Sequence, residues 1–440
     1  MKKKIINMIS VICMLAVTMF SASGCQKAKQ EETISFGRQT TDQIRTDAHE
    51  EITWDLIQLA DHDPSLKKML EKSIEQAKAM NPDVMTNPIT DLNSYYAFID
   101  RCVHAMPWEI DPTGEYDLLY DRIDQGMGCL YFVCDQPLEE LSDKGYFHNS
   151  LMYHEPFRSW FIRFLSASGE FLSSADSWKD EYYQNALKNP DFHLDDGTYE
   201  DHKNWKSFND FFARKLKDPS LRPIEAPEDD NVITAPADSA PQGVWKIDGN
   251  HHVIAEKPEE QAGLAIKTGT LTDVSVLLAD SRYARSFANG TLTHTFLDIN
   301  DYHRYHFPVS GIVKEVLLIP QNDAPGGVIT WDAEAGRYKE YYSEIFGWQS
   351  IETRGIVIVE TESGGLVAVI PVGMCQVSSV NFEEQVKEGA QVRKGDPLGY
   401  FLFGGSDIVM IFSEDLSFEM TTEPGTHIQM GSEYGTISGK

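Results

Sequence analysis

From about residue 230 the spacing of apolar residues changes, and that change limits the folds open to this chain. Ahead of it, residues 43–105 carry Leu56, Ile57, Leu59, Leu66, Met69 and Leu70 at helical spacing, punctuated by Pro82 and Pro88. Residues 151–172 add Tyr153, Phe157, Trp160, Phe161, Phe164 and Leu165, a wide aromatic stripe of the kind a helix buries in a core. Residues 173–204 are polar and read as a linker or irregular surface. Ser207-x-x-Asp210 then opens a short helix through Phe211-Phe212-Ala213-Arg214. Beyond it come short β-branched or apolar runs at 253–255, 275–278, 311–313, 316–319, 355–359 and 366–370, most of them bounded by turn formers or charges. The fold class this implies is α+β, with a helical region over 43–204 and a mostly β domain over 205–440.

Two details refine the β domain. The pattern Val386-x-x-Gly389-x-x-Val392-x-Lys394-Gly395-Asp396-x-Leu398-Gly399 has the local form of a barrel-sandwich turn, and reads as scaffold because Lys394 is not at an exposed hairpin tip. The segment 321–354 interrupts the strands with Gly, Asp and aromatics. A loop of that length in a compact domain is commonly a lid or a substrate loop. Trp331, Tyr338, Tyr341, Tyr342 and Trp348 are its candidate pocket residues, with surface packing as the equal alternative.

The first 24 residues read as a targeting signal. Lys2, Lys3 and Lys4 precede an apolar run from Ile5 to Phe20, which is short for a membrane span, and Ser21-Ala22-Ser23-Gly24 precedes Cys25. Ala-Ser-Gly-Cys is similar to a bacterial lipobox, which makes Cys25 the lipidation site and 25–42 a tether. The expected location is the extracytoplasmic face of a bacterial cell membrane, held by the lipid. Cys102, Cys129, Cys134 and Cys375 are too few and scattered for a disulfide framework, although one bridge from Cys102 to Cys129 or Cys134 is open. No metal-ligand pattern is present. Removing the signal takes away three lysines and no acid, moving the net charge from −30 to −33. A chain this acidic excludes nucleic acid as a partner. It also gains nothing from an anionic lipid surface unless a basic patch or an anchor holds it there.

The chemistry centres on Phe403-Gly404-Gly405-Ser406. Two glycines open backbone conformations closed to other residues and leave the next carbonyl approachable. A serine just behind them, at the mouth of the apolar run Ile408 to Phe412, is placed to attack the peptide bond before it and cut the chain at Gly405-Ser406. Upstream, Ile233-Thr234-Ala235-Pro236-Ala237-Asp238 ends a strand on an aspartate, and Asp301-Tyr302-His303-Arg304-Tyr305-His306 carries two histidines three apart. In the order Asp238, His306, Ser406 these supply an acid to orient, a base to abstract and a nucleophile to attack. Ser406 is not in a Gly-x-Ser-x-Gly elbow, since Ile408 stands at the last position.

Together these segments resemble the signature blocks of the phosphatidylserine decarboxylase family, over roughly residues 205–437. The resemblance includes Phe211-Phe212-Ala213-Arg214-Lys215-Leu216 with Arg222-Pro223-Ile224, Pro371-Val372-Gly373-Met374, and, most specifically, the stretch from Gly399 to Ser406. The N-terminal third and the Phe-Gly-Gly-Ser form are similar to a divergent branch that includes a soluble fungal tryptophan decarboxylase. Two positions depart from the pattern: Asp407 stands where threonine or serine is usual, and Ser239 where glycine is usual.

The resemblance implies self-cleavage into a β subunit ending at Gly405 and an α subunit of residues 406–440, with Ser406 converted to a covalent pyruvoyl cofactor. That ketone is an electron sink for decarboxylation of an amine-bearing substrate. It implies Asp238 and His306 for maturation and His303 for turnover. The expected substrate is phosphatidylserine, with a free aromatic amino acid such as tryptophan as the alternative. A non-catalytic lipoprotein on the same scaffold and a Ser-His-Asp hydrolase remain as further readings. The oligomeric state is left open, a homo-oligomer included.

Overall fold

The computed structural model describes residues 49–440 except 111–112, 114–115, 143–148, 255–264, 267–268, 271–272, 321–327, 342–347, 375–378 and 440. The signal, tether and Cys25 lie outside the described residues, as do Cys375 and Tyr342. The described residues form one compact unit.

Helices come first, as the 3.6-residue spacing requires. Glu51–His62, Pro64–Met80, Leu92–Cys102, Leu119–Phe132 and Phe157–Leu172 bury Leu56, Leu66, Leu70, Phe98, Ile99, Phe161 and Phe164 in one core. Asp63 caps the second helix by accepting from Ser65 and Leu66 N–H, with Pro64 at its first position. Residues 173–204 are more ordered than expected: Asp180–Ala186 is helical, and Tyr182, Ala186 and Phe192 are buried in the core beneath the sheet. Cys102, Cys129 and Cys134 are buried thiols, with no bridge between them.

The strands follow, giving the expected mixed fold with helices N-terminal and sheet C-terminal. The main sheet has eight strands in the order Gln391–Val392, Gly311–Ile319, Thr353–Glu360, Leu366–Met374, Gly405–Phe412, Thr291–Leu297, Ala240–Ile247 and Val253–Ile254. Every neighbouring pair is antiparallel. Among the described residues this sheet does not close into a barrel, because short strands end it on both sides. A second sheet of three strands runs Val380–Phe382, Pro397–Phe401, Arg304–His306. The run at 275–278 is not a strand: Asp273 accepts from Ser275 N–H and caps a helical turn, Val274–Leu277. The sheet is covered on both faces, by Val357, Val359, Ile408 and Met410 on one side and Ile356, Ile358, Val409 and Ile411 on the other. Lys394 is buried, and its ammonium donates to the Asp229 and Val232 carbonyls.

Within 321–354 the described part is a hairpin, Val328–Asp332 with Arg337–Tyr341, and it packs into the helical core. Tyr338 N–H donates to Gln125 at 2.7 Å and Gln125 Nε2 returns a bond to the Tyr338 carbonyl at 3.0 Å. The Tyr338 hydroxyl donates to Thr86 O at 2.6 Å. A Cβ on Gly128 would lie 2.4 Å from Tyr338 Cβ, so the helix must carry glycine where the hairpin crosses it. Trp331 and Tyr338 therefore serve packing, which answers the lid expectation for those two residues. Ile329 N–H donates to buried Asp135 at 2.6 Å, and Ser150 donates to the same carboxyl at 3.1 Å.

Burial pushes the Asp135 carboxyl up to about 8. The folded state therefore holds a proton that the unfolded chain releases near pH 4, and stability falls as pH rises from about 4 to 8. Asp135→Asn keeps the shape without the proton. Its unfolding free energy, from urea titration, should gain on the unsubstituted protein as pH goes from 5 to 8, by up to about 1.4 kcal/mol per pH unit. A constant difference across that range would show that Asp135 ionises freely.

Candidate active site

Segments far apart in sequence meet around the start of the Gly405–Phe412 strand. His306 N–H donates to Pro236 O at 2.8 Å, which lays the two-histidine segment beside Asp238, in the bend between the strands Val232–Thr234 and Ala240–Ile247 rather than at a strand's end. Phe401 N–H donates to His303 O at 2.9 Å, and Tyr305 pairs with Gly399, so the same segment also flanks the approach to Ser406. From the short helix Phe208–Phe212, Asn209 accepts the Phe403 N–H at 2.9 Å. Gly404 sits at φ +141°, a conformation that favours glycine, and this turns the chain into the Gly405–Phe412 strand.

Ser406 opens that strand between Gly373 and Leu297. It is fully buried, and its hydroxyl has no hydrogen-bond partner among the described residues. Buried hydroxyls are normally paired, so this one stands out beside the glycine turn.

The expected hydrogen-bonded relay from Asp238 through His306 to Ser406 is not formed. Asp238 instead faces Arg222, with Nε 3.1 Å from Oδ1 and Nη2 2.7 Å from Oδ2, and accepts Met430 N–H at 2.8 Å. A bidentate guanidinium satisfies a buried carboxylate better than a neutral imidazole does, so it takes the aspartate. The orienting role at His306 falls to the Gly395 carbonyl, 2.8 Å from Nδ1. A carbonyl only accepts, so Nδ1 carries the proton and Nε2 presents a lone pair, 3.3 Å from the Tyr302 hydroxyl. Burial lowers the His306 pKa below that of ordinary histidine.

His303 is in a drier place. Its ring stacks on Phe212 at 3.7 Å between centroids, and Phe212 in turn meets Phe403 at 5.3 Å. Burial first, and the Arg214 charge second, hold its pKa well below the ordinary histidine value. Its Nδ1, like the Ser406 hydroxyl, has no hydrogen-bond partner among the described residues. Two cavities adjoin these residues. One, of about 220 Å³, is lined by Arg222, Asp238, Asp301 and His427. The other, of about 450 Å³, is lined by Asn209, Lys215, Arg304, Tyr400 and Leu402.

A family model described as Phosphatidylserine decarboxylase matches residues 208–436, just over half of the chain, and takes in every one of these groups. The chain belongs to the phosphatidylserine decarboxylase family. It is 33% identical over 247 residues to phosphatidylserine decarboxylase proenzyme 2 of Oryza sativa subsp. japonica, covering 56% of this chain and 35% of the rice protein. It is 30% identical over 243 residues to decarboxylase iboD of Amanita muscaria, covering 52% of this chain and 65% of the fungal one. A phosphatidylserine decarboxylase proenzyme of Fusobacterium nucleatum is 28% identical over 249 residues, with 53% and 71% covered. The chain thus spans about a third of the rice relative.

Within the phosphatidylserine decarboxylase blocks, sequence reasoning missed Arg222, Asn209, Tyr302 and the Gly395 carbonyl. Arg222 alone carried a signal, since a buried aspartate such as Asp238 needs a cation. Asp238 still reaches His306 through its charge, which favours the protonated imidazole, so Asp238→Ala should lower stability by about 3–5 kcal/mol by stranding Arg222 and also slow processing. The double variant Arg222→Met/Asp238→Leu should recover much of the stability by urea titration yet still process slowly. Normal processing in the double variant would make Asp238 purely structural.

Proposed function

We propose that this chain is a pyruvoyl-dependent decarboxylase that cuts itself between Gly405 and Ser406 and converts phosphatidylserine to phosphatidylethanolamine and CO₂. The observation that carries this reading is the Ser406 hydroxyl, fully buried, unpartnered and set two residues behind the positive-φ glycine. Family membership supplies the frame.

In maturation the Ser406 hydroxyl adds to the Gly405 carbonyl and the peptide C–N bond breaks, leaving an ester and a free amine on residue 406. His306, neutral with its lone pair on Nε2, is the proposed acceptor of the hydroxyl proton. Elimination frees the Gly405 carboxylate as the new β-subunit terminus, and hydrolysis of the resulting enamine releases ammonia. The residues fit the product: Ser406 loses its hydroxyl without breaking a hydrogen bond. When formed, the pyruvoyl ketone supplies an electron sink for loss of CO₂.

The neighbouring side chains then bind, exclude water and move protons. Phe212 and Phe403 keep the face around His303 dry, and the unpartnered His303 Nδ1 is the proposed proton carrier of turnover. Lys215 and Arg304 give the 450 Å³ cavity its cations, and that cavity shares Asn209 and Leu402 with the approach to Ser406. A second reading, decarboxylation of a free amino acid such as tryptophan, draws on the −30 net charge and the polar cavity lining. The lipobox-like segment at Cys25 supports attachment to the outer face of a membrane. Among the described residues no helix is long and apolar enough to cross one.

Ser406→Ala should run on a gel as one full-length chain, while the unsubstituted protein shows a fragment of residues 406–440 without a free amine. His306→Ala should stall as precursor, and His303→Ala should process but lose CO₂ release; the reverse pattern would exchange their roles. Phosphatidylserine liposomes and, separately, free tryptophan, tyrosine, phenylalanine and serine should be offered to protein lacking the signal. Turnover on an amino acid with none on the lipid selects the second reading.

Because burial lowers the His306 pKa, the imidazole stays neutral down to and below its ordinary value near pH 6.5. Processing should therefore be nearly constant from pH 8 to 6.5 and fall only in more acid solution. Half-loss above pH 7 would point to another base.

A further inference from the structure

The strand that begins beside the cut carries a second buried polar group, which the reading above does not use. Ser406 and Asp407 are neighbours in an extended strand, so their side chains leave by opposite faces. Ser406 shares its face with Ile408, Met410 and Phe412, and Asp407 shares the other with Val409 and Ile411. Asp407 is fully buried. A carboxylate in such a place needs partners, and it has two from separate elements. His294, from the Thr291–Leu297 strand, has Nδ1 3.2 Å from Oδ1. Gln349, in the turn Trp348–Ile351, donates from Nε2 to Oδ2 at 2.9 Å. The His294 ring is itself held flat against Trp245, 5.2 Å between centroids and 23° between planes.

The cut changes what holds this end of the strand. Before it, the Gly405–Ser406 peptide bond fixes residue 406 from behind. Afterwards residue 406 begins the small chain, and its hydroxyl has been lost. The ladder to Gly373 and Leu297 remains, and Asp407 becomes the first side chain that can grip. Its backbone nitrogen is the atom that carries the new terminal group, so fixing Asp407 fixes the plane of that amide.

We propose that Asp407 is a positioning residue, an anchor clamped by His294 and Gln349 that keeps the cut end of the small chain in place. This rests on the self-processing reading. Gln349 also gives the 321–354 segment a purpose: its hairpin is set in the helical core through Tyr338 and Asp135, and its far end grips the strand that carries Ser406.

The test compares cut and uncut protein. Asp407→Val is made in the processing chain and in the uncut Ser406→Ala chain, and hydrogen exchange of residues 406–412 is followed by mass spectrometry. Exchange near residue 407 should rise about tenfold in the cut protein and less than about threefold in the uncut one. Asp407→Asn, which keeps an acceptor for Gln349, should restore most of the protection. Gln349→Leu, acting from a different element, should reproduce the loss in the cut protein. In the cut protein kcat should fall with KM unchanged, as for a group that orients rather than binds. An equal rise in cut and uncut protein, or none in either, overturns the anchor and leaves self-processing standing. Failure of Asp407→Val to process places Asp407 in the cleavage machinery and also overturns it. An unsubstituted protein that runs as one chain overturns both readings.

Discussion

The Gly405–Phe412 strand is hydrogen-bonded on both edges and covered by apolar side chains on both faces, and the rest of the molecule is arranged to keep it so. Eight residues pair with Leu366–Met374 and seven with Thr291–Leu297. Backbone bonds inside a covered sheet have no water to exchange with, so breaking them leaves unsatisfied donors and acceptors. A strand held this way tolerates loss of the covalent bond at its start. Ser406 stands at the first positions of this strand, where the backbone leaves a glycine turn and the proposed cut lies at the ladder's edge.

Three buried charges of the sheet region behave alike. Arg222, Arg354 and Asp407 are each matched to a partner distant in sequence, and each match draws two segments together. Arg222 with Asp238 ties the entry block to the bend before the Ala240–Ile247 strand, and Met430 N–H joins the same carboxylate. Arg354 is satisfied by the Val276, Leu277 and Glu352 carbonyls, and burial lowers it to about 10. Met430 lies on the fragment that cleavage would create, so such pairs also hold the two pieces together.

Periodicity made the helical region and most strands legible, because a helix stripe or an apolar run is written in consecutive residues. The short turn at Val274–Leu277 was misread because a cap residue, Asp273, outweighed the β-branched run behind it. Ser406, Asp238, His303 and His306 were legible as residue types in motifs. Their bonds were not, because hydrogen-bond choice is a competition among groups that meet only after folding. Asp238 had a guanidinium available and took it, and the imidazole found a backbone carbonyl that carries no mark in the sequence. The hairpin at Val328–Tyr341 was equally opaque: its aromatics suit a pocket or a core, and only Gly128 in a distant helix decides which.

The 321–354 segment leaves the sheet and returns to it at one point, since Ile319 and Arg354 are directly paired. Topologically it is an excursion from a hairpin rather than a link in the chain of strands. Its closure costs about 3 kcal/mol for a loop of roughly 30 residues, and that cost barely changes with length. Such an element can be gained, lost or lengthened over evolutionary time without disturbing the register of the strands it joins. The sheet and the accessory that reaches from it into the helical region are therefore free to change length independently, so long as Gln349 still meets Asp407.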